Sequence, residues 1–167
     1  MIEIKDKKDC AGCTACTEIC PKKCIQMKPD EEGFLYPVVD KNRCVECNAC
    51  NMVCPIQNPI TEEEKPQKAY LVQHCDEKVR LDSSAGGAFT AIATVVLQRG
   101  GVVFGAAYDE NFHVQHTYVE AVSELKRFRN SKYVQSDLGD SFCLVKDFLQ
   151  KDRWVCFSGT PCQIEGL

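Results

Sequence analysis

Eight cysteines in two matching runs dominate the chemistry available to this chain. Cys10, Cys13, Cys16 and Cys20 precede Pro21, and Cys44, Cys47, Cys50 and Cys54 precede Pro55. Both runs read C-x2-C-x2-C-x3-C-P, an established bacterial motif for binding iron-sulfur clusters. Three thiolates at steps of three can wrap three corners of a cube, and the fourth lies one helical turn further on. The pattern therefore predicts two [4Fe-4S] clusters. In this motif the fourth cysteine ligates the other cluster. One set is then Cys10, Cys13, Cys16 and Cys54, and the other is Cys44, Cys47, Cys50 and Cys20. A pair of zinc knuckles is the plain alternative. Zinc sites more often join two separated C-x2-4-C pairs on one ion, which fits steps of three poorly.

The elements that must position these thiols repeat with them. Residues 1–4 read as a short strand. Ala11-Gly12 gives a small-residue loop, and residues 14–19 a short helix stopped by Pro21. A strand over 24–27, an acidic turn over 29–33 and a strand over 35–39 follow. The second run then repeats loop and helix, with the helix over 49–53. So small a module cannot bury a large core, and metal must supply much of its folding free energy. Cys24 stands outside the motif and reads as a buried core residue.

Composition limits the alternatives. The chain has 167 residues, is 44% hydrophobic and 26% charged, and carries a formal net charge of -4. An acidic balance gives no footing for nucleic-acid binding. No apolar run reaches the roughly 18 residues of a membrane span, and the charged N-terminus does not resemble a signal peptide. Thirteen cysteines is an odd number. Without an export signal they point to metal in a reducing compartment, hence a cytoplasmic protein. The last residues read as the opening of a helix, so the chain reads as part of a longer protein.

Residues 59–67, with two prolines and a charge run, read as a linker between a module over 1–58 and a unit over 68–167. In that unit, strands are expected over 69–73, 102–108, 114–119 (an edge strand) and 154–157. Helices are expected over 88–98, 121–128 and from Leu138 to Leu149. Phe89, Ile92, Val96 and Leu97 would form the buried face of the first of these. Strands alternating with helices argue for an α/β unit. The fold expected for the chain is thus an α+β, ferredoxin-like two-cluster domain followed by a partial α/β domain.

Two turns of the second unit could do chemistry. Ser83 or Ser84 can cap the helix that Gly86 and Gly87 open, and such an end attracts anions; ordinary capping and close packing explain the same residues. At the second turn, Thr160 is an N-cap, Pro161 takes the first helical position and Gln163 completes a capping box. That places Cys162 in a first turn that favours a thiolate: a nucleophile, a redox thiol or a metal ligand. In a chain built on clusters, a further cluster ligand is the preferred reading. His74, His113 and His116 are available as partners. Cys75 and Cys143 read as core, and Cys156 as core or ligand. The stretch 127–136, which includes Ser131, Lys132 and Tyr133, would suit a flavin or nucleotide phosphate, or simply form a solvated basic loop.

Three stretches carry a resemblance. They are Ser84-Ala85-Gly86-Gly87-Ala88-Phe89, Ser131-Lys132-Tyr133-Val134-Gln135-Ser136 and Phe157-Ser158-Gly159-Thr160-Pro161-Cys162-Gln163-Ile164. In this order, behind a module like the bacterial two-cluster ferredoxins, they resemble the beta-subunit family of coenzyme F-420 hydrogenases and dehydrogenases. The resemblance implies an iron-sulfur flavoprotein in which clusters pass electrons to FAD, and FAD exchanges a hydride with F-420 or a similar carrier. It implies that Ser84, Gly86, Gly87, Ser131, Lys132 and Tyr133 lie near the flavin, and that Cys162 ligates a third [4Fe-4S] cluster. Family members are longer than this chain, so part of the flavin and substrate site would lie outside it. A non-enzymatic electron-transfer subunit that docks a redox partner protein is the alternative.

Overall fold

The computed structural model describes residues 1–59, 66 and 68–167. Contacts divide the chain into two units, Met1–Glu64 with Gly159–Leu167, and Lys65–Ser158. Most of the expected linker over 59–67 lies outside the described residues.

In the first unit, helix α1 (Ala15–Glu18) and helix α2 (Ala49–Met52) carry the middle of each cysteine run. Strands β1 (Ile25–Pro29) and β2 (Leu35–Val39) form an antiparallel pair with Met27 opposite Pro37. The turn between them is tied by Asp30, whose carboxylate accepts from the amides of Glu32 and Phe34. A 3-10 helix, Lys7–Asp9, precedes the first run. The strand expected over 1–4 does not form among the described residues. Ile2 is buried there, but its N–H donates to Cys50 Sγ at 3.1 Å instead of joining a ladder. The core of this unit is built from thiols: Cys16, Cys20, Cys24 and Cys50 pack with Ile2 and Ile25. Helix α6 (Pro161–Gly166) also belongs to this unit.

The second unit is arranged on strand β3 (Val102–Tyr108). It pairs antiparallel with β4 (Val114–Val119) and parallel with β5 (Val155–Phe157), giving the order β4-β3-β5. β4 is thus an edge strand, as its alternating sequence implies. Successive residues of β3 point to opposite faces. Val103 and Ala107 pack with Ala93, Val96 and Leu97 of helix α4 (Ala88–Gln98) and with Leu125 and Phe128 of the 3-10 helix Val122–Phe128. Val102 and Phe104 pack against Val145 and Phe148 of helix α5 (Ser141–Gln150). Covered on both faces, β3 reads as an unbroken apolar run.

Four local expectations are corrected. Residues 69–73 form no strand and lie outside any ladder among the described residues, and Leu71 is 98% exposed. Apolarity and β propensity do not make a strand where no neighbour supplies a ladder. On α4, Ile92 is 62% exposed, and the buried stripe runs through Thr90, Ala93, Val96 and Leu97. Small side chains at its centre let the helix approach the sheet. The segment 122–128 is a 3-10 helix, and a helix α3 (Glu77–Leu81), capped by Asp76, lies in a stretch without an apolar period. Cys75 is exposed rather than core; Cys143 and Cys156 are half-buried, the latter packed against the α4 face.

Gly105 of β3 faces the Phe128 ring, where an added Cβ would come within 2.9 Å. Gly105→Ala is therefore expected to overpack this face and destabilise the second unit by about 1–3 kcal/mol, read as a lowered melting temperature in thermal denaturation followed by circular dichroism.

Candidate iron-sulfur centres and an open groove

The two cysteine runs share a backbone conformation as well as a spacing. Gly12 and Thr14 have φ of 63° and 61°, and the equivalent Glu46 and Asn48 have 52° and 64°. Left-handed residues alternating with ordinary ones turn successive amides toward one concavity, an arrangement suited to iron-sulfur sites. The sulfurs receive such amides: Gly12 N–H on Cys10, Ala15 N–H on Cys13 and Cys24 N–H on Cys20.

Each loop lines a small cavity. One is lined by Cys10, Cys13 and Cys16 together with Cys54, closed by Ile2, Ile4, Pro55 and Ile56. The other is lined by Cys44, Cys47 and Cys50 together with Cys20, with Ile25 and Ala49 beside them. Each cavity thus combines three cysteines of one run with the fourth of the other, the crossed sets expected from the spacing. α1 and α2 carry the chain across, and Pro21 and Pro55 follow the crossing cysteines. Among the described residues, no group of three or more Cys, His, Asp or Glu converges as a single-ion site; ligands for a cube bind separate irons and need not converge on one point.

The donor chemistry fits such a group. Burial, reinforced by Cys13, Cys10, Cys54 and Cys50, pushes the Cys16 thiol up to about 12. Cys10 and Cys13 are also raised, first by burial and further by neighbours that include Cys162. Thiols crowded in an apolar shell resist ionisation unless a cation neutralises them. Burial would raise Cys20 too, but amides of Cys24, Lys22 and Lys23 and the Cys24 thiol bring it below its ordinary value. Cys24 is buried, as its sequence setting implies, yet it lies among the ligands, with its Sγ 3.4 Å from Cys20 Sγ.

At α6, Gln163 Oε1 accepts from the Thr160 amide at 2.9 Å, closing its half of the capping box. Cys162 Sγ lies 3.2 Å from Thr160 Oγ1. The histidines have their own partners. His74 Nδ1 accepts from the Asp76 amide, His113 meets Asp109, and His116 Nδ1 and Nε2 meet Ser136 Oγ at 2.7 Å and the Ser158 carbonyl at 2.9 Å. Burial lowers the His116 pKa, so the ring is neutral: Nε2–H donates to Ser158 and Nδ1 accepts from the Ser136 hydroxyl.

The second unit carries an open polar groove lined by Asp82, Ser83, Ser84, Lys126, Arg129 and Asn130, with Leu81 at its edge. Ser84 Oγ donates to Asn130 Oδ1 at 2.8 Å, and Arg129 meets Asp82 at 3.2 Å. Neither Ser83 nor Ser84 caps α4: the N-cap is Gly87 at φ 83°, and Ser83 donates to the Val79 carbonyl. Gly86 and Gly87 serve close approach, since a Cβ would meet Val72 O at 3.0 Å and His74 Cβ at 2.9 Å. Of the six residues expected near a flavin, Ser84 lines the groove. Lys132 donates to the Arg127 and Arg129 carbonyls, Tyr133 is 95% exposed, and Ser131 is exposed. Lys126 lies outside the stretch singled out by composition, and only folding brings it to Ser84.

The family profile of the 4Fe-4S dicluster domain matches residues 9–58. The N-terminal part of the chain is thus a dicluster ferredoxin domain, with iron-sulfur electron transfer as its chemistry. No curated protein shows a significant match to the chain. Among the described residues, no helix is long and apolar enough to cross a membrane.

The crossed ligand sets can be tested chemically. In a Cys10→Ala, Cys13→Ala, Cys16→Ala variant reconstituted without oxygen, about four irons per chain should remain. Mass spectrometry after alkylation should then find Cys54 modified and Cys20 protected. Pairing within each run predicts that Cys54 is protected and Cys20 modified.

Proposed function

We propose that the chain is the electron-feeding part of an iron-sulfur flavoprotein oxidoreductase. The pair of cysteine-lined cavities carries this reading: Cys10, Cys13, Cys16 and Cys54 would hold one [4Fe-4S] cluster, and Cys44, Cys47, Cys50 and Cys20 the other. When bound, the clusters supply one-electron transfer. The thiols hold them, and the Ile2 amide on Cys50 and the Cys24 amide near Cys20 stabilise negative charge on sulfur, an influence on cluster potential. A partner that exchanges hydride needs a two-electron converter, the role of a flavin.

On this reading, residues 68–167 are the N-terminal part of a flavin domain. Its groove supports a phosphate-bearing cofactor through the cations Arg129 and Lys126, with phosphate competing with Asp82 for Arg129. FAD is the cofactor proposed, F-420 or a similar carrier the hydride partner, and Cys162 a ligand of a further cluster. A second reading, an electron-transfer subunit that docks a redox protein without catalysis, is favoured by one observation: Gly86, Gly87 and Lys132 are already occupied in packing and backbone contacts.

FAD titrated into the reconstituted chain, followed by flavin fluorescence, separates the two. Saturable binding that Arg129→Ala weakens about tenfold or more is expected, the cost of removing a charged hydrogen bond to phosphate. Full iron content with no flavin binding would favour the docking subunit.

A further inference from the structure

The two cysteine loops carry their neighbouring cations differently. Beside the first, Lys7 meets Asp30 at 2.8 Å and Lys8 meets Asp6 at 2.9 Å, so their charge is answered within the chain. Beside the second, the Arg43 guanidinium donates to the Lys22 carbonyl at 3.0 Å. That bond brings residues 41–43 beside 22–23, and with them the exposed cations Lys22, Lys23, Lys41 and Arg43. None of the ion pairs among the described residues includes Lys22, Lys41 or Arg43. The acids nearby in sequence are Asp40 and Glu46, and Asp40 already accepts from the Asn42 amide. The patch thus runs against the net charge of -4 of the whole chain. It rims the cavity of the second cluster, whose lining includes Lys22, Val45, Glu46 and Cys47. Val45 and Cys47 are exposed, whereas Cys10 and Cys13 of the first loop are half-buried.

We propose that this face docks a small acidic redox protein, which exchanges electrons with the second cluster at its Cys47 edge. This rests on the two-cluster reading of the cysteine runs. Opposite charges steer the encounter of two proteins and fix its orientation. Val45 and Cys47 supply an apolar centre within the basic rim, the usual anatomy of an interface. Redox encounters use small areas, so a patch around one cluster edge is enough. An extended polyanion fits less well: nucleic acid calls for a broad basic face, and here the cations surround a redox edge on an acidic chain. The exchange is balanced: one partner loses one electron as the other gains it, and any proton that the carrier's cofactor takes up comes from solvent. The second cluster, rather than the first, is thereby the port for the carrier.

A strongly acidic flavodoxin serves as the probe. The full chain is reconstituted without oxygen to roughly eight irons, reduced, and mixed with oxidised flavodoxin in a stopped-flow instrument at rising salt. Lys22→Glu with Lys41→Glu reverses charge on the face. Lys146→Glu with Lys151→Glu makes the same net change on and just after α5. The wild-type rate constant should fall steeply with salt, and at low salt the first variant should lower it about tenfold or more, while the second stays near wild type. Carbodiimide cross-linking of the wild-type pair, read by mass spectrometry, should join flavodoxin carboxylates to Lys22, Lys23 or Lys41. Equal rates in the two variants, a rate indifferent to salt, or cross-links confined to other lysines would overturn the proposal. So would retention of the chain by RNA or anionic lipid vesicles with no electron transfer to flavodoxin. A wild type short of the stated iron content would instead contradict the two-cluster reading itself.

Discussion

The first unit depends on one constraint: its interior is made of sulfur atoms that need a cation. Cys16, Cys20, Cys24 and Cys50 occupy the positions that leucine or valine would hold in a conventional core. A module the size of residues 1–58 buries little apolar surface, and metal must supply much of its folding free energy. The left-handed residues follow from the same constraint. Glu46 and Asn48 adopt the left-handed φ that Gly12 and Thr14 adopt in the first loop, the conformation that lines backbone amides along a concavity suited to an iron-sulfur group.

The second unit is held by ordinary means. β3 is buried on both faces, with α4 and the 3-10 helix on one side and α5 on the other. This frame brings the turn after α3 beside the C-terminal end of the 3-10 helix, so that Ser84 meets Asn130 across 46 positions of sequence. The groove is thus a consequence of layer packing. His116 performs a comparable task on β4: by bonding Ser136 and the Ser158 carbonyl and stacking on Phe157, it fixes two loops with one neutral ring.

What was legible in the sequence follows the range of the interaction involved. The cysteines that line each cavity were readable because the motif encodes both the loop and the crossing of the fourth cysteine. β3 and α4 were readable to the residue because an unbroken apolar run and a long helical period are local signals, and the capping box at Thr160 and Gln163 is local too. The errors came where a distant partner decides. Residues 69–73 have the composition of a strand but lie outside any ladder in the described residues. Ile92 lost the centre of the α4 face to Ala93 because the distance to the sheet, not hydrophobicity alone, selects that residue. The groove combines residues from two segments: Arg129 and Asn130 belong to the stretch 127–136 that composition singled out, whereas Ser84 and Lys126 join them only through the fold. Cys24 looked like a core residue because burial and ligand-shell membership leave the same trace in sequence.

Two [4Fe-4S] clusters held side by side by the paired runs would couple magnetically, and paramagnetic resonance of the fully reduced, anaerobically reconstituted chain tests this most directly. Two neighbouring reduced clusters should give a broadened, spin-coupled spectrum in place of two independent signals. A single uncoupled signal at full reduction, or a colourless protein that holds zinc and no sulfide, would contradict it.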